Sequence, residues 1–133
     1  MPDRFGFDRI GQIHVAARDL ERAVTYYRDV LGMKFLFQVP NMAFFDCGGV
    51  RIMLGVPESE KFDHPASILY YAVADIQEAH TELRKRGVAF VSDPHKVADL
   101  GAKELWIGFF EDSEGNTVAV MSERTKSGAG AGS

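Results

Sequence analysis

The sequence predicts an α+β fold made of two βαβββ modules, and three observations predict it. The order strand, helix, strand, strand, strand occurs twice. The two helices begin and end at matching residues 55–56 positions apart, and the strands carry apolar residues at alternate positions. Because one such module cannot cover its own sheet, we expect the strands of both halves to form a curved, cup-shaped mixed sheet with the helices outside.

The first module opens with a strand and a capped helix. In residues 10–17, apolar side chains alternate with Gln12 and His14, which is the period of a strand. Asp19 is a helix N-cap, and Gly32 provides the left-handed residue that ends the helix. Three further strand segments follow, separated by Pro-Asn and Gly-Gly turns: MKFLFQV, MAFFDC and VRIMLGV.

The second module repeats this order with similar signals. SILYYAV is a strand, Asp75 and Glu78 form a capping box, and Gly87 ends the second helix. The remaining strands are VAFVS, KELWIGFFE and NTVAVMS. The connection SDPHKVADLGA is longer than its counterpart in the first module, so we expect an extended loop there.

These elements divide the chain into five segments. An N-terminal extension, 1–9, precedes the first module at 10–56. A linker, 57–66, leads to the second module at 67–123. The remaining residues, 124–133, have nothing to bury and are expected to form a flexible tail.

Composition and charge exclude several classes of function. The net charge is −4 and there is no basic run, so we expect no nucleic-acid partner. No apolar stretch reaches the ~20 residues of a membrane span. The N-terminal segment lacks the apolar core of a signal peptide, so we expect a cytoplasmic protein without membrane contact. Cys47 is the only cysteine, which excludes an intrachain disulfide and a thiolate metal cluster.

Alternation along the strands assigns their side chains to two faces. The more uniformly apolar set is expected to face the helices. It consists of Ile13, Val15, Ile52, Leu54, Leu69, Tyr71, Val118 and Val120. The other set is expected to face the cup, and it consists of Gln12, His14, Arg51, Met53, Ile68, Tyr70, Thr117, Ala119 and Met121.

Three segments carry a resemblance to a known superfamily. They are QIHVAARDLERAVTYYRDVLGMKF, AVADIQEAHTELRKRGVAF and FFEDSEGNTVAVM. They resemble the paired motifs of the vicinal oxygen chelate superfamily, which includes glyoxalases, bleomycin-resistance proteins and extradiol dioxygenases. The resemblance covers residues 10–123, and it implies a homodimer, since members pair modules within or between chains. It implies no single function, because one fold hosts many chemistries.

The resemblance also implies where a metal would be held. Metal enzymes of this superfamily place one ligand on each of four cup strands, and the matching positions here hold Gln12, Met53, Ile68 and Ala119. Only Gln12 offers an oxygen to a hard divalent cation, and a thioether such as that of Met53 suits copper(I). We therefore expect no cofactor and no metal at the usual positions. A divalent metal held elsewhere stays open.

Four other side chains are candidates for chemistry. His14 shares the inward face with Gln12, where it either lines a pocket or moves a proton. A hairpin would bring His95 near Glu104, and contact with the carboxylate would tune the imidazole as a general base. Trp106 either walls a site for an apolar or aromatic ligand or fills the edge of the core, with His95 and Glu104 then forming a surface pair.

Two functions follow from these residues, and both stay open. In the first, the chain binds a small, partly apolar molecule without a metal. The ligand-binding residues would be Gln12, His14, Arg51, Met53, Tyr70 and Trp106. In the second, the chain is an enzyme of lyase, isomerase or dioxygenase type, with a rearranged metal site or a histidine base among His14, His95 and Glu104. Glyoxalase activity is not expected, because that chemistry needs a metal to stabilise the enediolate.

Overall fold

The computed structural model describes residues 5–7, 9–57, 59–60, 64 and 67–126. The strands are β1 Gln12–Ala16, β2 Lys34–Val39, β3 Met42–Cys47, β4 Val50–Gly55, β5 Leu69–Ala72, β6 Phe90–Leu100, β7 Lys103–Glu111 and β8 Thr117–Thr125. The helices are α1 Leu20–Thr25, which continues as a π-helical turn over Tyr26–Val30, and α2 Ile76–Lys85. Most of the predicted linker and tail lies outside the described residues, as does part of the N-terminal extension, so those boundaries stay predictions. The first two residues of the predicted tail, Arg124 and Thr125, belong to β8 and pair with β7.

The strands form two four-stranded mixed sheets, ordered β1-β4-β3-β2 and β5-β8-β7-β6. In each sheet the first strand of the module pairs in parallel with the last strand, and the other pairs are antiparallel. The predicted α+β fold of two βαβββ modules is therefore confirmed. Each module forms a sheet of its own, so the strands divide into two sheets of four.

Both helices begin where the sequence predicts. The Asp19 carboxylate accepts a hydrogen bond from the Arg22 N–H at 3.1 Å, and the Asp75 carboxylate accepts two, from Gln77 and Glu78. Gly32 adopts the left-handed backbone that ends the first helix, with a φ of 71°. Neither described helix is long and apolar enough to span a membrane.

The predicted helix-facing residues form the core. All eight lie in, or pack against, two hydrophobic clusters, one on each sheet. Tyr26 and Leu31, at the end of the first helix, pack against both clusters. The π-helical turn, closed by a 3.0 Å bond from the Leu31 N–H to the Tyr26 carbonyl, thus lies where the two modules meet.

The prediction of an extended loop at SDPHKVADLGA is wrong, because most of this segment belongs to strand β6. β6 pairs with β7 over its whole length, and the turn between them contains only Gly101 and Ala102. β6 is the edge strand of its sheet, where proline is tolerated. The register shifts between Ser92 and His95 accommodate Pro94, which has no N–H to donate to the ladder.

A buried polar network joins the two modules. The Asp112 carboxylate, in the turn before β8, is 6% exposed and accepts a 2.7 Å hydrogen bond from the Tyr27 hydroxyl of the first module. It also accepts bonds from the Asn116 side chain and from the backbone N–H groups of Glu114 and Asn116. The Asn116 amide donates in turn to the Ala16 carbonyl of β1 at 3.1 Å.

The same turn contributes a second link through Glu114. Its side chain is 1% exposed, and one oxygen accepts hydrogen bonds from the backbone N–H groups of Arg18 and Asp19, each at 3.0 Å. The other oxygen accepts from Arg22 Nε at 2.8 Å and from the Ser113 hydroxyl. Burial opposes ionisation, but the bonds from Arg22, Asp19 and Ser113 outweigh it and lower the pKa of Glu114 to about 2.

Candidate functional site

The first sheet brings Gln12, Arg51 and Met53 together on the face away from the helices. Gln12 and Arg51 are direct partners in the parallel pair of β1 and β4. Arg51 Nε donates to Gln12 Oε1 at 2.8 Å, and Gln12 Nε2 lies 3.7 Å from the Met53 sulfur as a donor. Both ends of the Gln12 amide are therefore engaged within the protein.

Two aromatic rings extend this face across the sheet. The guanidinium carbon of Arg51 lies 5.3 Å from the centre of the Phe44 ring. Phe37 stacks on Phe44 with ring centres 4.6 Å apart and planes 25° apart, and it remains 46% exposed. We call Gln12, Arg51, Met53, Phe44 and Phe37 the platform. It combines the partly exposed ring of Phe37 with a cation beside Phe44.

His14 lies on the same face, beside the platform. It is half-buried and is the register partner of Met53. Its ring lies against the buried Gly55, so closely that a Cβ at Gly55 would be 3.0 Å from His14 Nε2. The glycine therefore leaves room for the imidazole, which a Cβ at this position would displace.

The corresponding face of the second sheet is more apolar. Tyr70 packs edge-on against Phe109 with ring centres 6.1 Å apart, and it is 47% exposed. Ile68 precedes β5 and is also exposed, whereas Ala119 is fully buried in β8. This face offers the Tyr70 ring and hydroxyl to a ligand, but no charged group from these three positions.

The structure does not bring His95 and Glu104 together. His95 pairs with Ile107, whereas Glu104 pairs with Asp99, so the two side chains lie on opposite faces of the β6–β7 ladder. His95 Nδ1 lies 2.9 Å from the Asp93 carbonyl, and Glu104 instead accepts a 3.0 Å bond from Trp106 Nε1.

Trp106 lies on the helix-facing side of β7, away from the face that carries Tyr70. It packs against the second core cluster, and the Arg124 guanidinium carbon lies 4.5 Å from its ring centre. This is the arrangement in which the tryptophan fills the edge of the core. The second part of that alternative, a surface pair between His95 and Glu104, is wrong, because the sheet separates the two side chains.

The residues at the four family positions do not fit a divalent cation. The Gln12 amide is hydrogen-bonded to Arg51 and Met53, and the side chains of Ile68 and Ala119 have no atom that could bind a metal ion. Within the described part of the chain, no three histidine, cysteine, aspartate or glutamate residues are grouped so that they could hold a metal ion.

Phe37 and Phe44 were among the aromatic residues expected to supply the binding cup, but sequence patterns did not reveal that they stack on each other. Phe37 and Phe44 meet because β2 and β3 are neighbours with a register shift between Phe35 and Phe37. Alternation within β3 places Phe44 and the buried Phe45 on opposite faces, so the face of Phe44 could have been predicted from the sequence. The bulge in β2, which decides that Phe37 lies over Phe44, has no comparable sequence signal.

Comparison with known proteins identifies the superfamily to which this chain belongs. Residues 9–120 match the model of the Glyoxalase/Bleomycin resistance protein/Dioxygenase superfamily. A glyoxylase-like domain-containing protein of Didymella fabae is 30% identical over an alignment 132 positions long, which includes 89% of this chain and 96% of the relative. The chain therefore belongs to this superfamily.

Solved structures show the same fold at lower identity. A lactoylglutathione lyase from Agrobacterium tumefaciens superposes with a TM-score of 0.72 at 21% identity, covering 88% of this chain and 95% of that one. A glyoxalase/bleomycin resistance protein/dioxygenase from Alicyclobacillus acidocaldarius gives 0.67 at 18% identity, covering 86% and 91%. At these identities the likeness establishes the fold and leaves the chemistry to the residues of the site.

Proposed function

We propose that this protein binds a small, partly apolar molecule on the platform, without the metal that other members of the superfamily use. The observation that carries this proposal is the engagement of Gln12. Its amide oxygen accepts from Arg51, so the one hard donor among the four family positions is already used. A cation bound to this oxygen would lie beside the guanidinium and would place two positive charges side by side.

The platform favours a planar anion as the ligand. Stacked Phe44 and Phe37 offer an aromatic surface, and Arg51 lies beside it with a planar, forked set of donors that matches a carboxylate. The guanidinium contacts Gln12 and Phe44, not its antiparallel register partner Asp46. An aromatic carboxylate would stack on the rings and pair with the guanidinium at its edge.

Replacing Arg51 tests this assignment. We expect Arg51→Ala to weaken binding of 2-naphthoate about 10- to 100-fold, because a hydrogen bond to a charged group contributes roughly 1.5–3 kcal/mol. Titration calorimetry measures the affinity. Arg84→Ala removes the same side chain from the exposed surface of α2 and is the matched control, with an expected change below about twofold. Equal affinities of wild type and Arg51→Ala would contradict the proposal.

Metal content separates this function from the second candidate. The position of His14, half-buried beside the platform and packed against Gly55, favours an enzyme with a histidine base or a rearranged metal site as the alternative. We expect elemental mass spectrometry of the purified protein, dialysed against Zn²⁺, Mn²⁺, Fe²⁺ or Ni²⁺, to show less than about 0.1 metal per chain. A stoichiometric, tightly held metal would reject the metal-free proposal and support the enzyme.

A homodimer also remains a prediction. Phe37, Ile68 and Tyr70 are 40–50% exposed on the faces away from the helices, which supports coverage of these faces by a ligand or by a second copy.

A further inference from the structure

A cavity of about 460 Å³ lies between the modules on the helix-covered side, away from the platform. The end of the first helix, the end of β3, strand β5 and the inner face of α2 all contribute to it. Its volume is within the range of about 300–1,000 Å³ that is typical of small-molecule sites. The cavity is therefore large enough for a ligand of two fused rings.

The walls of this cavity are mainly hydrocarbon. They are formed by Leu31, Met33, Val73, Leu83, Phe110 and Val120. Most of these side chains also belong to the packing of the two core clusters, so the walls are held in place by the fold. Such a surface favours an apolar ligand body, because binding removes apolar area from water.

Tyr71 and Cys47 supply the polar groups of the interior. The Tyr71 hydroxyl is buried and has no hydrogen-bond partner among the described residues. Burial, followed by the nearby Cys47 thiol and Asp112 carboxylate, raises the pKa of this hydroxyl. Burial also raises the pKa of the Cys47 thiol, which is free. Both groups are thus uncharged at neutral pH, and a buried hydroxyl without a partner is costly unless a bound molecule satisfies it.

The charged residues that line the cavity are balanced in sign. Lys34 and Asp46 border the cavity as register partners, but Asp46 also pairs with Arg51, so both side chains lie towards the face that carries the platform. Arg86 donates to Glu82 at 3.1 Å and to the Val30 carbonyl at 3.0 Å. Because neither cation is in excess over the neighbouring carboxylates, the cavity gives no preference to a charged ligand, in contrast to the platform with Arg51.

We infer that this cavity is a second binding site, separate from the platform, for an uncharged, mainly apolar molecule with one hydrogen-bonding oxygen. The chemical class is that of a phenol or an aryl ketone. The apolar walls contact the ring system, and a small shift of the Tyr71 side chain brings its hydroxyl, which is covered in the structure, to the oxygen of the ligand. The inference concerns a site beyond the proposed function, and the two sites differ in the ligand charge that they prefer.

Alkylation of Cys47 reports on this site alone. Cys47 is the only cysteine of the chain and lines the cavity, so its reaction with iodoacetamide measures how accessible the cavity is. With 2-naphthol as the probe, we expect the alkylation rate to fall at least 5-fold at saturation. The anionic 2-naphthoate is expected to protect at least 10-fold less effectively at equal concentration. An unchanged alkylation rate at saturating 2-naphthol would overturn the inference.

Tyr71→Phe tests the role of the hydroxyl. The variant removes a buried hydroxyl that has no partner in the described structure, so it is expected to fold normally. We expect 2-naphthol to protect Cys47 with about 3- to 10-fold lower affinity, and 2-methylnaphthalene, which has no hydroxyl, with unchanged affinity. 2-Methylnaphthalene is the control within the same variant, because it lacks the group that pairs with the Tyr71 hydroxyl. Equal loss for both probes would refute the hydrogen bond.

Ala79→Phe tests the location independently. Ala79 lines the cavity from α2, and a ring at this position would occupy the space of the ligand. We expect the folded variant, checked by circular dichroism, to lose protection by 2-naphthol. Retained protection in that folded variant would overturn the location of the site. If the variant does not fold, wild-type protection and the Tyr71→Phe comparison decide the question.

Discussion

Asp112→Ala is expected to lower the free energy of unfolding by about 3–5 kcal/mol, because each buried donor left without an acceptor costs roughly 1–3 kcal/mol. The carboxylate is the acceptor for the Tyr27 hydroxyl and for the Asn116 side chain, both buried between the modules. Without it, these donors and two backbone N–H groups lose their acceptor in a place that water does not reach. Burial, then the charge of Asp112, raises the pKa of Tyr27, so the phenol stays a donor at all ordinary pH values.

Urea denaturation, followed by circular dichroism, measures this loss. Glu111→Ala is the matched control, because it removes a carboxylate from the adjacent, exposed position and is expected to change the unfolding free energy by less than about 0.5 kcal/mol. A loss below about 1 kcal/mol for Asp112→Ala would show that the network contributes little to holding the modules together.

Glu114→Gln is expected to destabilise the protein by about 1–3 kcal/mol at pH 7, with a difference from wild type that depends on pH. The folded-state pKa of Glu114 is lowered to about 2 from an ordinary value of 4.5. A carboxyl with a lowered pKa contributes its full stabilisation above pH 4.5 and loses it as the pH falls towards 2. Protonation of wild type therefore removes much of what the substitution removes, and the two proteins become closer in stability in acid.

Unfolding free energies at pH 7, 5, 4 and 3 check this expectation. The gap between wild type and Glu114→Gln should be constant from pH 7 to 5 and should narrow below it. Glu123→Gln, at an exposed position on β8, is the control and should cost less than about 0.5 kcal/mol at pH 7. A gap of the same size at pH 7 and pH 3 would assign the effect of the substitution to packing instead of charge.

The fold could be predicted because its signals are local. The caps at Asp19 and Asp75 and the alternation of apolar residues depend only on neighbours in the chain. The one element that was predicted wrongly is SDPHKVADLGA, which was expected to be a loop and belongs mostly to β6. It contains a proline and several polar residues, which locally favour a turn. Pairing with β7 overrides that preference, and such a contact between segments has no local signal.

The site could be predicted only in part for the same reason. Alternation placed Gln12, Arg51 and Met53 on one face, and the structure brings these three into contact. Alternation could not show that His95 and Glu104 lie on opposite faces of the sheet, because the register shifts in β6 decide which face His95 occupies. The Asp112 network was missed, although Asp-Ser-Glu-Gly-Asn between two strands is a turn in which an aspartate side chain caps the backbone.

The first helix has a consequence for how the protein folds. Tyr26 and Leu31 complete the packing of both hydrophobic clusters, and Tyr27 reaches the turn of the second module. If the second module unfolds, the first module exposes one side of its only helix. If the first module unfolds, the second module loses part of its core. We therefore expect the two halves, which are a duplication in the sequence, to unfold as one cooperative unit with a single transition between folded and unfolded chains.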